Sequence, residues 1–134
     1  MEKYFVNVIS KQTIDGEIQS SVFEGELIIS HNGVLNYQVS YVNNDKQMAS
    51  MVLIFEDDES ITVKLNDGSL TGVFMLSLNE ETEGCYSFNN SKLLLNFFLK
   101  KINKKAIDIS LEYDIFTNGN LLSNNVLEIE VKKC

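Results

Sequence analysis

Four tyrosines, Tyr37, Tyr41, Tyr86 and Tyr113, stand in stretches where apolar and polar residues alternate, and they are the side chains best suited to build a binding site. A tyrosine aimed into a barrel interior offers an apolar wall with a hydroxyl handle, which fits a small, mainly apolar ligand. The competing expectation is that these rings, with the abundant Phe and Leu, fill the interior as core. Barrels of about eight to ten strands either pack solid or enclose one small ligand.

Catalytic groups are harder to assemble. His31 is the one histidine and precedes Asn32-Gly33, so it reads as an exposed turn residue, and the sequence offers no way to place a Ser, Cys or Asp against its imidazole as a catalytic partner. The acidic runs Asp57-Asp58-Glu59 and Glu80-Glu81-Thr82-Glu83 invite comparison with calcium loops or with the carboxylate pair of glycosidases. Neither has the EF-hand spacing, and consecutive acids in turns serve more often as solvated gatekeepers at strand ends. Lys100-Lys101 and Lys104-Lys105 build a basic hairpin tip, with Lys132-Lys133 as a neighbour, yet no arginine or interleaved aromatic accompanies them. Cys85 reads as a buried core thiol and Cys134 as an exposed terminal one; their spacing fits no metal motif. Phosphate loop, nucleophile elbow and dinucleotide fingerprint are all missing. The expectation is a protein that is not an enzyme and uses no cofactor and no metal.

Composition narrows the partners. The formal net charge is −8, with 11 basic residues that are all lysine. Without arginine, bidentate contacts to phosphate and guanine are lost, and an acidic surface repels nucleic acid and anionic lipid. Charge is uneven: residues 1–91 carry 4 Lys against 14 acids, residues 92–134 carry 7 Lys against 5. The amino-terminal stretch lacks the apolar core of a signal peptide, and no run approaches the roughly 18 apolar residues of a membrane helix. No nucleic acid, no membrane and a cytoplasmic address are therefore expected, with both thiols reduced.

The elements that would position these residues are strands. Ile107 to Ile115, Leu127 to Lys132, Ile61 to Leu65 and Tyr37 to Tyr41 alternate with period two, which puts one face on a core and the other in water. Asp15-Gly16, Asn32-Gly33, Asp67-Gly68 and Asn118-Gly119 lie between strand-like runs and suit tight hairpin turns. Asn43-Asn44-Asp45, Asp57-Asp58-Glu59, Asn89-Asn90-Ser91 and Asn103-Lys104-Lys105 read as longer or looser turns. The 134 residues then predict one all-β domain over 1–134, a single antiparallel meander barrel of about 8–10 strands. A two-sheet sandwich is the alternative. The lack of proline suits long ladders, and Gly25, Gly72 and Gly84 are candidate bulges or bends. Met51 to Phe55 and Leu93 to Leu95 are apolar on both faces, so their outer sides need a cover, which points to a possible homodimer.

The order of segments resembles the YwiB-like family of small bacterial proteins, which look like calycin (lipocalin-type) barrels. The matching residues are Ile9-Ser10-Lys11-Gln12 with Asp15-Gly16, then Glu24-Gly25-Glu26-Leu27, Tyr37 and Tyr41, and Asn66-Asp67-Gly68. Thr82-Glu83-Gly84-Cys85-Tyr86 follows, then Leu111-Glu112-Tyr113, Asn118-Gly119, and Asn125 with Leu127, Ile129 and Val131. The chain departs from the family at Phe88-Asn89-Asn90-Ser91, where relatives tend to carry a Thr-Pro-Tyr-Gly-like turn. The resemblance implies the fold, and implies ligand binding only through kinship with lipocalin-like barrels. Three functions are thereby ordered: a barrel binding a small apolar molecule; an interaction module acting as a homodimer; and, last, an enzyme built on the acidic runs.

Overall fold

The computed structural model describes residues 2–132. Met1, Lys133 and Cys134 lie outside the described residues, and with them the expectations placed on Lys133 and on an exposed Cys134. Ten strands follow in chain order: β1 (Glu2–Ile14), β2 (Glu17–His31), β3 (Leu35–Val42), β4 (Met48–Phe55), β5 (Ser60–Asp67), β6 (Leu70–Ser77), β7 (Glu81–Phe88), β8 (Ser91–Lys105), β9 (Asp108–Thr117) and β10 (Asn120–Val131). Each pairs antiparallel with its chain neighbour, and β1 also pairs with β10 through Val6↔Val131 to Thr13↔Asn124. The meander closes into a barrel, and the sandwich alternative falls away.

Period-two patterning becomes an inside and an outside. Val6 and Val8, Val39, Leu53, Ile61, Leu95 and Leu99, Ile109 and Leu111, and Ile129 all point inward and are buried. The outward set includes Lys3 against Glu26 at 3.3 Å and Lys132 against Glu24 at 3.0 Å. Burial of the apolar set drives the closure; exposed ion pairs of this kind add little.

The turns sort by chemistry. Asp15-Gly16 and Asn118-Gly119 have positive φ at both residues, as a type I′ hairpin turn requires. At Asn32-Gly33 and Asp67-Gly68 only the glycine is left-handed. Asn89-Asn90, expected to be looser, is itself a two-residue turn between Phe88 and Ser91, with φ of 47° and 65°. Asparagine enters the left-handed region at small cost, so the missing glycine is no obstacle. The turn placed at Asn103 to Lys105 lies further on, at Ala106-Ile107, because β8 keeps its pairing with β9 as far as Lys105↔Asp108.

The in-strand glycines are not bulges; the register shifts fall at Leu99/Lys101 and Leu121/Ser123. They allow close approach instead. A Cβ on Gly84 would come within 2.6 Å of Phe97 Cε1 and would also collide with Phe74, and one on Gly72 would lie 2.8 Å from the Tyr86 ring.

Candidate functional site

An antiparallel meander puts alternate turns at the same end. The β1–β2, β3–β4, β5–β6, β7–β8 and β9–β10 connections therefore share one end of the barrel, and the two ends are built differently. At the end holding the β8–β9 turn, the barrel is plugged. Tyr37 is 1% exposed there, packs edge-on against Phe55 with centroids 5.0 Å apart, and donates its hydroxyl to the Ile107 carbonyl at 2.8 Å. Lys104 lays its ammonium over both rings, 5.7 Å from the Tyr37 centroid and 5.3 Å from that of Phe55.

The other end is hollow. A cavity of about 430 Å3 opens there, and nine of the ten strands contribute to its wall. Its floor is apolar, from Val8, Met51, Val63, Phe74, Leu76, Leu111 and Leu127. Its rim is polar, from Ser10, Ser21, Asn43, Asn44, Asp45, Asp67 and Ser69. Asn43 organises that rim: its Oδ1 accepts from the backbone N–H groups of Asp45 and Gln47, and its Nδ2 donates to Asp67 Oδ1 at 2.6 Å. The β3–β4 turn is thus tied to the end of β5.

Three of the four tyrosines singled out above meet at this cavity: Tyr41 from β3, Tyr86 from β7 and Tyr113 from β9. Tyr37 does not reach it, since it plugs the opposite end. Tyr41 stacks on Phe23 at 5.1 Å, and Tyr86 meets Phe74 edge-on at 5.9 Å. Behind them Phe74 and Phe97 stack face to face at 4.3 Å, with Tyr113 tilted against both. Among the described residues none pairs with the hydroxyls of Tyr41, Tyr86 or Tyr113, whereas Tyr37 has its carbonyl. The choice between filled core and pocket is therefore divided along the axis: filled at one end, hollow at the other.

Burial raises these phenols. Tyr86 is pushed up to about 12 by burial alone; Tyr41 reaches about 12 by burial and then by the Asp67 charge. Tyr37 rises to about 12 by burial and by Asp108, and Tyr113 is raised by burial and by Tyr86. All are hydrogen-bond donors at neutral pH. Below pH 10 they are protonated in folded and unfolded chain alike, so stability is flat there through these groups. Above pH 10 the unfolded chain ionises first, so stability falls as pH rises toward 12. Spectrophotometric titration is expected to show most tyrosinate appearing late, with unfolding, rather than near pH 10; smooth ionisation near pH 10 in the folded protein would contradict the burial.

The remaining candidates do not join the cavity. His31 ends β2, exposed. Asp57, Asp58, Glu59 and Glu80 come together in a shallow surface pocket at the plugged end, where Asp57 accepts from the Glu59 backbone and Glu80 from Ser77. Lys100 pairs with Asp114 at 3.2 Å and Lys101 with Glu112 at 3.8 Å, so the lysine tip is partly neutralised by β9. Cys85 corrects its expectation: the inward residues of β7 are Gly84 and Tyr86, so its thiol is half-buried on the outer face. Among the described residues no group of three or more His, Cys, Asp and Glu converges as a metal site, and no helix is long and apolar enough to cross a membrane. Sequence reading missed Asn43, Asp45 and Asp67 as rim residues. Their signal was present, since two turns an even number of hairpins apart share an end.

The molecule is thus a ten-stranded meander barrel with one open, tyrosine-lined end. Residues 5–129 match the family described as Domain of unknown function (DUF1934), and the chain belongs to that family. The crystal structure of the YwiB protein from Bacillus subtilis has a similar fold, with a TM-score of 0.70 at 16% identity, covering 98% of this chain and 92% of that one. A comparison with curated proteins returns no match.

Proposed function

We propose that this protein is a non-catalytic binding barrel of the cytoplasm, holding a small, mainly apolar molecule in the open end without metal or cofactor. What supports the reading is three phenol hydroxyls with no protein partner among the described residues, lining one cavity of about 430 Å3. Hydroxyls that reach the open space of the cavity beside an apolar floor are suited to a ligand's acceptors or to water. The volume falls within the usual range of small-molecule sites. Lipocalin barrels can hold one small ligand in the barrel interior, a likeness of architecture alone. The outward Glu24, Glu26, Glu112, Glu128 and Glu130 suit water rather than lipid hydrocarbon.

A second reading, a homodimer, draws on one feature of the outer face. Val73, Cys85 and Leu94 lie in register across β6, β7 and β8, with Val73 54% and Leu94 76% exposed. Native mass spectrometry of freshly purified protein, set against the denatured mass, reads both. Extra non-covalent mass on the chain is the expected result. A bare chain would count against the cavity reading, and a bare dimer would shift the function to the outer face.

A further inference from the structure

Among the described residues, the charged side chains that line the cavity are all of one sign. Asp45 and Asp67 are the charged residues of its lining, and no lysine contributes. Neither carboxylate takes part in an ion pair among the described residues, and Lys46, next along the connection, does not line the cavity. Asn43 donates to one oxygen of Asp67, Oδ1, while Oδ2 has no side-chain donor among the described residues. The turns at this end add Asp15 and Glu17 against Lys92. Inside the rim stand five aromatic rings, whose faces carry partial negative charge.

The plugged end repeats this combination with its occupant in place. There the Lys104 ammonium lies over the rings of Tyr37 and Phe55, in a pocket that Asp57 and Asp58 also line. Aromatic faces with nearby carboxylates hold ammonium groups through the ring quadrupole and through charge pairing. At the open end the same ingredients are present, and no lysine among the described residues lines the cavity.

We infer that the ligand of the open end is an organic cation, an ammonium or its like on an apolar body, seated with its charge toward Asp45 and Asp67 and its body on the apolar floor. This rests on the binding reading above and adds the sign of the ligand's charge. A phenol oxygen can also accept from an ammonium N–H group. A carboxylate ligand would also find those donors, but it would sit beside two carboxylates with no lysine to offset them.

Three probes with one ring system test this: 1-naphthylmethylamine, 1-naphthalenemethanol and 1-naphthoate, titrated at pH 7 by calorimetry. The amine is expected to bind about tenfold tighter than the alcohol, equivalent to one decade in Kd, and the naphthoate more weakly than the alcohol. Asp67→Asn and Asp45→Asn are expected to bring the amine toward the alcohol. Asp58→Asn removes the same charge at the plugged end and is expected to leave the preference intact. Equal or tighter binding of the alcohol or naphthoate would overturn the charge inference and leave the cavity standing. So would an equal loss in Asp58→Asn, which would assign the preference to net charge. Failure of all three probes to bind would overturn the cavity reading, and the inference with it.

Discussion

Truncating Phe97 to alanine is expected to cost the barrel about 3–5 kcal/mol, the range for removing a buried phenylalanine ring. The ring is 0% exposed and stacks on Phe74 with planes 3° apart. Tyr86 meets it at 6.0 Å and Tyr113 at 6.4 Å, and β7 passes close enough that Gly84 has no room for a Cβ. Strands on both sides are fixed by the closed ladder, so the wall cannot collapse into the gap. For a domain whose total stability is of order 5–15 kcal/mol, that loss is a large share. Urea unfolding reads it as a lower midpoint with an unchanged slope. A cost under about 1 kcal/mol would mean that the ring does not support the wall as its packing implies.

Removing the cavity hydroxyls is expected to separate stability from binding. Changing Tyr41, Tyr86 and Tyr113 together to Phe deletes three groups that no described residue pairs with. Folding therefore loses no hydrogen bond, and stability is expected to hold or rise slightly. A ligand that uses these hydroxyls loses about tenfold in affinity for each one engaged, the factor for about 1.4 kcal/mol. Tyr37→Phe is the counterpart. Its hydroxyl donates to Ile107 away from the cavity, so that variant is expected to lose about 1 kcal/mol of stability and to bind normally. Thermal melts and titration of 1-naphthylmethylamine on both variants check the pair. If the triple variant unfolds more easily and Tyr37→Phe weakens binding, the assignment of the two ends is reversed.

Strand after strand was legible because side-chain direction repeats every two residues, a local property of the backbone. Ile109, Leu111, Tyr113 and Ile115 share a face whatever surrounds them, and the structure turns that face inward. Turn positions were legible where Asx-Gly supplied positive φ, as at Asp15-Gly16. They slipped at Ala106-Ile107, because how far β8 runs is set by its pairing with β9, which continues to Lys105↔Asp108, rather than by its own residues. Cys85 slipped for a similar reason: Gly84 leaves few apolar positions in β7, so the alternation there is too weak to assign a face.

The sequence by itself determined that the chain is all-β, that neighbours pair as hairpins, and that the tyrosines stand on alternating faces. Only the tertiary structure decided that Tyr41, Tyr86 and Tyr113 surround one space while Tyr37 closes the other end. It also decided that Asn43 ties Asp67 into the rim. Which face a side chain takes follows from its own strand. What it meets across the barrel follows from how β1 finds β10 and from whether the inward side chains, summed from every strand, fill the enclosed volume. They fill it at one end and leave it open at the other, a balance that no single stretch of the chain carries.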